Sequence, residues 1–379
     1  MRMVRVLLYC GGFQPIGGVE TLTKNLIDGL GKFPVSIDLL AWGKDSELLR
    51  HTVDQKERVR LHRSFWRWGC RYEWPDWLIL PRGKKLLAKN DIVFFPKLFS
   101  PRIHFSLDRM RLNRKPPFVF IVHYRPSEMW PESLGERSRN LIKNLLNTFD
   151  AIVVPSKDFM EDLGKIGYEG KCYQIPLAPP AETPIKPFPD FSQGFRLGFL
   201  GRLEKQKNLE YLLRSFAIFQ KLWQGKSDRV ELHFFGEGQE GEHLNALTMK
   251  LGLKPCVRFH GGVPYHKVAE VIDSCHGFVF SSVTEGQCLA ALEILSRGRP
   301  LIATPVGSFP DIIDGKVGKI ASLKDPVALA AAMKEMLEEV KDGKINPATI
   351  RKYYDKRYSH ASVIEQYYGM LMELVNDKN

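Results

Sequence analysis

Residues 277–304 read GFVFSSVTEGQCLAALEILSRGRPLIAT. The run at 277–282 is short, mostly apolar and without polar alternation, which is typical of a strand buried on both faces. A helical segment at 289–298 and a second apolar run at 300–304 follow it. Strands of this kind that alternate with helices indicate a parallel sheet covered by helices on both sides.

The same alternation extends over almost the whole chain of 379 residues. Residues 179–190 contain five prolines, so this segment favours neither a helix nor a central strand and predicts a semi-rigid linker. The sequence therefore predicts two doubly wound parallel-sheet domains, residues 1–178 and 191–356, and an amphipathic packed helix at 357–379. The supporting apolar runs lie at 4–11, 35–43, 91–97, 118–123 and 151–155, and at 195–201, 230–236, 257–261, 277–282 and 300–304.

Composition excludes several classes of protein. With 44% hydrophobic and 26% charged residues, the chain is typical of a soluble globular protein. No apolar run approaches the roughly 18 residues that a membrane-spanning helix needs. The six cysteines never occur at metal-ligand spacing and the chain contains no Asp-x-Asp, so we expect no metal site and no disulfide framework. A cytoplasmic protein is predicted.

Positive charge is concentrated in one region. The net charge is +12, and residues 50–115 alone hold seventeen Lys and Arg against six Asp and Glu, with four of the seven tryptophans. Interleaved basic and aromatic residues fit an anionic, partly apolar surface, such as the inner face of a membrane with the protein attached peripherally. A solvated basic face explains them equally well. Nucleic acid ranks last as a partner, because no recognition motif accompanies the charge.

Two turns after predicted strands carry residues suited to phosphate. Gly11–Glu20 is rich in glycine and leads into a helix, so backbone N–H groups can approach an anion there. Residues 201–208 read GRLEKQKN and follow a strand directly. Ligands of parallel α/β domains bind at the carboxyl ends of strands, where Arg202 and Lys207 would clamp a diphosphate. A simple tight turn and solvated lysines are the alternatives for these two motifs.

Two glutamates give the sharpest signal. Glu285 lies in the turn between the strand and the helix of residues 277–304, and Glu293 follows inside the helix. A carboxylate at the second position can accept hydrogen bonds from both hydroxyls of a ribose, while the N-terminus of the helix faces phosphates. A helix-surface pair does not explain two glutamates at this spacing in an otherwise apolar unit.

Together these motifs resemble those of the family-four glycosyltransferases, which are retaining, nucleotide-sugar-dependent enzymes of the GT-B fold. The resemblance covers essentially the whole chain and is strongest over residues 195–315. It implies a hexosyltransferase-type enzyme with two Rossmann-like domains facing a cleft. The N-terminal domain would bind the acceptor, the C-terminal domain would bind the nucleotide sugar, and a C-terminal helix would cross back to the N-terminal domain. The matching motifs are Gly17-Gly18-Val19-Glu20, Gly201-Arg202-Leu203 with Lys207-Asn208, Phe235-Gly236-Glu237-Gly238, Phe259-His260-Gly261 and Glu285-x7-Glu293.

The resemblance also implies roles for individual residues. Arg202 and Lys207 would bind the donor diphosphate, and Glu293 would bind the ribose. Glu285 would hold hydroxyls of the transferred sugar, and His123 would meet that sugar near the reacting centre. The other donor-binding positions that it implies are Gly17, Gly18, Gly262, Val263, Gly286 and Leu289.

The sequence departs from the family pattern at three places. Gln287-Cys288 replaces an aromatic residue and a glycine, Pro176-Leu177-Ala178-Pro179 replaces an Asn-Gly, and Tyr124-Arg125 follows His123 in place of an acidic residue. None of these departures affects the residues expected to contact the diphosphate, but they leave the identity of the acceptor undetermined. The candidates for acceptor or membrane contact are Arg63, Trp66, Arg67, Trp68 and Arg125.

We therefore expect sugar transfer from a UDP- or GDP-sugar to a glycan or lipid-linked acceptor, with retention of configuration and without metal or other cofactor. Biosynthesis of a cell-envelope polysaccharide is the setting that this chemistry suggests. Two alternatives stay open. One is a nucleotide-sugar epimerase of the same fold, and the other is a non-catalytic partner that binds the donor and the membrane.

Overall fold

The chain divides into two compact units. The first comprises Met1–Pro180 together with His360–Asn379, and the second comprises Ala181–Ser359. The computed structural model describes residues 2–12, 18–42, 57–63, 81–96, 116–123, 125–129, 133–177, 184–224 and 228–377.

The first unit is built on a parallel sheet that has seven strands in the described residues, in the order β3-β2-β1-β4-β5-β6-β7. Along β1, Val6 and Leu8 point to one face and Leu7 and Tyr9 to the other, and all four are buried. Because successive side chains of a strand alternate between faces, such a sheet needs helices on both sides. The strands are β1 Val4–Gly12, β2 Val35–Trp42, β3 Val59–Arg63, β4 Ile92–Phe95, β5 Phe118–Ile121, β6 Ala151–Val154 and β7 Lys171–Gln174, and the helices are α1 Gly18–Leu30, α2 Pro81–Lys89, α3 Pro126–Met129, α4 Glu136–Leu146 and α5 Lys157–Ile166.

The C-terminal helix, His360–Asn376, also belongs to the first unit. Its apolar face joins the core on the side of the sheet that holds Val6. Ile364 passes Gly29 of α1 so closely that a Cβ on this glycine would lie 2.3 Å from the isoleucine side chain. Lys171 of β7 donates a hydrogen bond of 2.6 Å to Glu373. The C-terminal helix therefore packs on the sheet of the first unit.

The described part of the second unit holds a parallel sheet of six strands in the order β10-β9-β8-β11-β12-β13. Strand β8 lies between β9 and β11, so the direction of winding reverses there, and this reversal opens a crevice at the carboxyl ends of β8 and β11. The strands are β8 Phe195–Leu200, β9 Val230–Phe235, β10 Val257–Phe259, β11 Gly277–Phe280, β12 Leu301–Ala303 and β13 Gly318–Ile320, and the α-helices are α6 Leu209–Leu222, α7 Gly241–Lys250, α8 Val268–Asp273, α9 Leu289–Ser296, α10 Phe309–Ile312, α11 Pro326–Lys341 and α12 Pro347–Arg357.

The second half of the predicted linker, residues 184–190, is held by buried charges of the second unit. Arg299, which has no exposed surface, donates to the carbonyl oxygens of Lys186 (2.9 Å) and Pro187 (2.7 Å). Arg297 forms an ion pair with the buried carboxylate of Asp273. Backbone carbonyls and one carboxylate therefore compensate two guanidinium groups that would otherwise be costly to bury.

Candidate active site

Two loops meet at the crevice of the second unit. The first follows β8 and contains a turn of 3-10 helix, Lys205–Lys207, and the second follows β11. The N–H of Val283 donates to the carbonyl of Gln206 at 2.9 Å, which joins the two loops through their backbones. The strand order thus brings together segments that lie about eighty residues apart in the chain.

A buried ion pair lies where these loops meet. The Nζ of Lys207 donates to Oε1 of Glu285 at 2.5 Å, and the two side chains are only 13% and 9% exposed. The hydroxyl of Ser282 donates to the same carboxylate oxygen at 2.7 Å. The lysine predicted to bind phosphate and the glutamate predicted to bind sugar are therefore direct neighbours, and the turn that follows Glu285 contains Gly286.

Glu293 is a partly buried residue on α9. Burial raises its pKa from 4.5 to about 7, and no hydrogen-bond or ion-pair partner reaches it from the part of the chain that the structure describes. The charges of Lys207, Glu285 and Glu293 all act on the pKa of the Cys288 thiol, which burial raises to about 12. The three charged groups therefore all lie near enough to the Cys288 thiol, which directly precedes α9, to act on it.

The N-terminus of α9 adds positive potential to this region. Leu289, the first residue of the helix, is 40% exposed, and in the described structure the Cys288 side chain does not cap the helix. Backbone N–H groups of a first helical turn have no acceptor within the helix and attract anions. The site therefore combines an ammonium group, oriented N–H groups and two carboxylates.

Arg202 is separate from the ion pair. Its side chain is 71% exposed and pairs with Glu204 in the turn after β8. Among the described residues, no hydrogen bond joins it to Lys207 or Glu285. The sequence predicted one clamp of two cations, whereas the structure holds Lys207 buried and Arg202 at the surface, where a long side chain can move toward a ligand.

The predicted donor-binding residues Gly262 and Val263 lie in the loop after β10. The N–H of Gly236 donates to the carbonyl of Gly261 at 2.8 Å. Gly262 lies beside the carboxylate of Glu237: a Cβ added to this glycine would lie about 3.2 Å from the carboxyl carbon. Val263 packs, partly buried, against the core of the second unit. A side chain at residue 262 would require the Glu237 carboxylate to shift by a few tenths of an ångström.

Several predicted residues belong to the first unit. Gly18 begins α1 and Arg63 ends β3. The ring of His123, directly after the end of the core strand β5, lies 2.5 Å from the carbonyl oxygen of Pro96. The predicted residues Gly17, Trp66, Arg67 and Trp68 lie outside the described residues.

Arg125 lines a cavity of about 470 Å³ between α3, α4 and α5. Its Nε donates to the buried carboxylate of Asp162 at 2.9 Å. The hydroxyl of Ser127 donates to the same oxygen, and together these hydrogen bonds hold the pKa of Asp162 below its ordinary value despite its desolvation. No pattern in the sequence indicated that a buried aspartate would bind this arginine.

Sequence reasoning also missed the two serines at the end of β11. Ser281 and Ser282 are fully buried, and each hydroxyl contacts one of the two loops at the crevice. A pair of serines directly after an apolar strand was the available signal.

Neither a membrane-spanning helix nor a metal centre is found in the described structure. Over residues 2–377, gaps excepted, no helix combines the length and the apolar character needed to cross a bilayer. Nor does this part of the chain bring three or more His, Cys, Asp or Glu side chains together around a position for a metal ion.

Two family models match the chain. Residues 16–178 match the model described as Glycosyltransferase Family 4, and residues 194–339 match the model described as Glycosyl transferases group 1. The chain is 27% identical to D-inositol 3-phosphate glycosyltransferase of Corynebacterium jeikeium over 222 residues, 53% of this chain and 52% of that one. It is 30% identical to the enzyme of the same name from Corynebacterium diphtheriae over 146 residues, 38% of this chain and 34% of that one. The matches thus span about half or less of these relatives.

Solved structures of similar fold cover nearly the whole chain. The apo form of the lipopolysaccharide outer core galactosyltransferase WaaB has a TM-score of 0.72 at 16% identity, covering 98% of this chain and 99% of that one. Anabaena HepE in complex with UDP has a TM-score of 0.68 at 14% identity, covering 98% of this chain and all of that one. The fold is that of the GT-B glycosyltransferases.

The two parallel sheets thus place the chain in the GT-B fold class, which these solved structures share. Within that class, the matches over both halves of the chain show that it belongs to the family-four, group 1 glycosyltransferases.

Proposed function

We propose that the protein transfers a sugar from a UDP- or GDP-sugar to a glycan or lipid-linked acceptor, with retention of configuration and without a metal ion. The observations that carry this proposal are the largely buried Lys207–Glu285 pair and the carboxyl of Glu293, for which the described residues offer no hydrogen-bond or ion-pair partner. A nucleotide sugar offers diphosphate oxygens, sugar hydroxyls and a ribose diol, which are the three groups that these side chains bind best.

Lys207 would stabilise the leaving diphosphate. An ammonium group has three donors, and only one of them is needed for the 2.5 Å hydrogen bond to Glu285. The others, with the first N–H groups of α9, would bind the phosphate oxygens as their negative charge grows in the transition state. Donors fixed in advance at such a position act without reorganisation at the moment of reaction.

The carboxylates would orient the donor rather than attack it. Oε1 of Glu285 already accepts from Lys207 and Ser282, so Oε2 is the oxygen that would accept hydroxyls of the transferred sugar. Glu293 would accept the two ribose hydroxyls. Arg202 would close on the diphosphate from the surface, and His123 of the first unit would contact the sugar near the reacting carbon. Retention of configuration follows from the family resemblance.

The acceptor is inferred from relatives and from charge. The relatives that are named D-inositol 3-phosphate glycosyltransferases suggest a phosphorylated polyol as one acceptor class. The excess of Lys and Arg over residues 50–115 fits a phosphorylated or lipid-linked glycan at the inner face of a membrane. Flotation with anionic and neutral liposomes tests the second idea, and equal, negligible binding to both would remove it.

The donor role of Lys207 has a matched control in the same turn. Lys207→Ala should lower turnover about 10² to 10³-fold, by analogy with the loss of an oxyanion donor. Lys205→Ala removes an exposed lysine two residues away, and it should stay near the wild-type rate. Turnover is measured as nucleotide release with UDP-glucose, UDP-N-acetylglucosamine and GDP-mannose, after a thermal-shift panel has selected the donor.

The same assay separates the alternatives. Equal rates for the two lysine variants would contradict the assignment of Lys207. Donor binding with neither transfer nor nucleotide release would favour the non-catalytic partner, and conversion of the donor to its epimer without acceptor would favour the epimerase.

A further inference from the structure

Ser281 and Ser282 directly follow strand β11, and the roles proposed above do not use their side chains for substrate. Both are fully buried. A buried hydroxyl costs free energy unless it is hydrogen-bonded, so the partners of these two groups are informative. Ser281 donates to the carbonyl oxygens of Lys207 (2.8 Å) and Asn208 (3.0 Å), whereas Ser282 donates to the Glu285 carboxylate. One serine holds the backbone of the Lys207 turn, and the other holds a site carboxylate.

The position of Ser282 is itself fixed. The buried hydroxyl of Thr304, at the end of the neighbouring strand β12, donates to the carbonyl oxygen of Ser282 at 2.6 Å. The serine is therefore tied to the sheet on one side and to the carboxylate on the other. Because Ser282 is held by the sheet, its hydrogen bond can fix the position of a side chain in the loop.

Lys207 alone would not orient the Glu285 carboxylate. An ammonium group on a flexible four-carbon chain behaves as a point charge, so a carboxylate can rotate around it without losing the ion pair. Ser282 supplies a second attachment to the same oxygen from a different direction, 2.7 Å away. With Oε1 held by both donors, the plane of the carboxylate is set and Oε2 has a defined position.

We infer that Ser282 is a positioning residue, which orients Glu285 so that its second oxygen is ready for a hydroxyl of the transferred sugar. This inference rests on the proposed function. Ser282 contacts no substrate and acts only through Glu285, so its loss should affect the sugar and leave the nucleotide alone.

Ser282→Ala tests this role, because it should change one measured quantity, kcat/KM for the nucleotide sugar, and leave another, the Kd of the nucleoside diphosphate, unchanged. We expect kcat/KM for the nucleotide sugar to fall about tenfold, since a hydrogen bond to a charged group contributes roughly that much. The Kd of the nucleoside diphosphate, which lacks the sugar, should stay within twofold of wild type. A merely structural role would weaken both or neither. Ser308→Ala is the control, because its hydroxyl is buried and without a hydrogen-bond partner in the described structure.

A double-mutant cycle identifies the route of the effect. In a Glu285→Ala background, Ser282→Ala should lower kcat/KM by less than a further twofold, because the group that it positions is gone. An undiminished tenfold loss in that background would overturn the inference, and so would a Ser282→Ala variant that matches Ser308→Ala. If Ser282→Ala does not fold, Ser282→Cys keeps the shape with a weaker donor. Its kcat/KM should fall at least threefold, and wild-type activity would contradict the role. A wild-type protein without transferase activity would instead remove the proposed function itself.

Discussion

Glu293 should make the stability of the protein depend on pH in a direction unusual for a carboxyl group. Its pKa is raised by burial to about 7 in the folded chain, against an ordinary value of 4.5. Below pH 4.5 the carboxyl is protonated in both the folded and the unfolded chain, and its stabilising contribution is fully present. As the pH rises toward 7, the unfolded chain releases its proton first, so unfolding becomes more favourable. The contribution is lost across this window and does not change above it.

The size of the effect follows from the two pKa values. Each tenfold difference in proton affinity corresponds to about 1.4 kcal/mol, so the full loss is about 3 kcal/mol, of which about 2 to 3 kcal/mol falls between pH 5 and pH 8. Glu293→Gln removes the titration but keeps the shape of the side chain. The free energy of unfolding of the wild-type protein should therefore fall by about that amount relative to this variant over the same pH range.

Urea unfolding of both proteins at pH 5, 6, 7 and 8, followed by circular dichroism, measures this difference. Taking the difference between the two proteins cancels the other titrating groups. Glu242→Gln, which removes an exposed carboxylate from α7, supplies the baseline for a change of charge at the surface. A difference between wild type and Glu293→Gln that is the same at pH 5 and pH 8 would refute the reasoning, because it would mean that Glu293 titrates alike in the folded and unfolded chain.

Two further predictions concern buried charges of the second unit. If ribose hydroxyls donate to Glu293, nucleotide binding should lower the pKa of Glu293 and release about half a proton at pH 7. Calorimetry with UDP or GDP in phosphate and in Tris buffer measures the number of protons released on binding. If wild type and Glu293→Gln release the same number, the prediction is contradicted. Asp273→Ala should lower the free energy of unfolding by about 3–5 kcal/mol, because it leaves Arg297, 7% exposed, and Arg299, 0% exposed, without their carboxylate. Urea unfolding checks this loss, with Asp342→Ala at an exposed position as the control, and equal stabilities would refute it.

The parallel architecture and the positions of the site loops could be predicted because they leave local signals. A strand buried on both faces is apolar throughout, as β11 is, and its pattern is readable over a few residues. Glu285 and Glu293 could be selected in the same way, since a turn and the helix after it fix their spacing. The packing of the C-terminal helix was predictable in part: its apolar face predicts that the helix is buried on one side, but not which surface covers it.

The chemical state of the site was not predictable, because it depends on contacts between distant segments. The sequence predicted Lys207 as a phosphate ligand, but only the strand order, which places β8 beside β11, brings its ammonium group onto Glu285. The same packing gave Ser282 its partner and desolvated Glu293. Arg299 is likewise fully buried against the backbone of residues 186 and 187, which no local pattern indicates. Periodicity and spacing are properties of neighbouring residues, whereas burial, ion pairing and pKa arise only when the sheet assembles segments that are far apart in the chain.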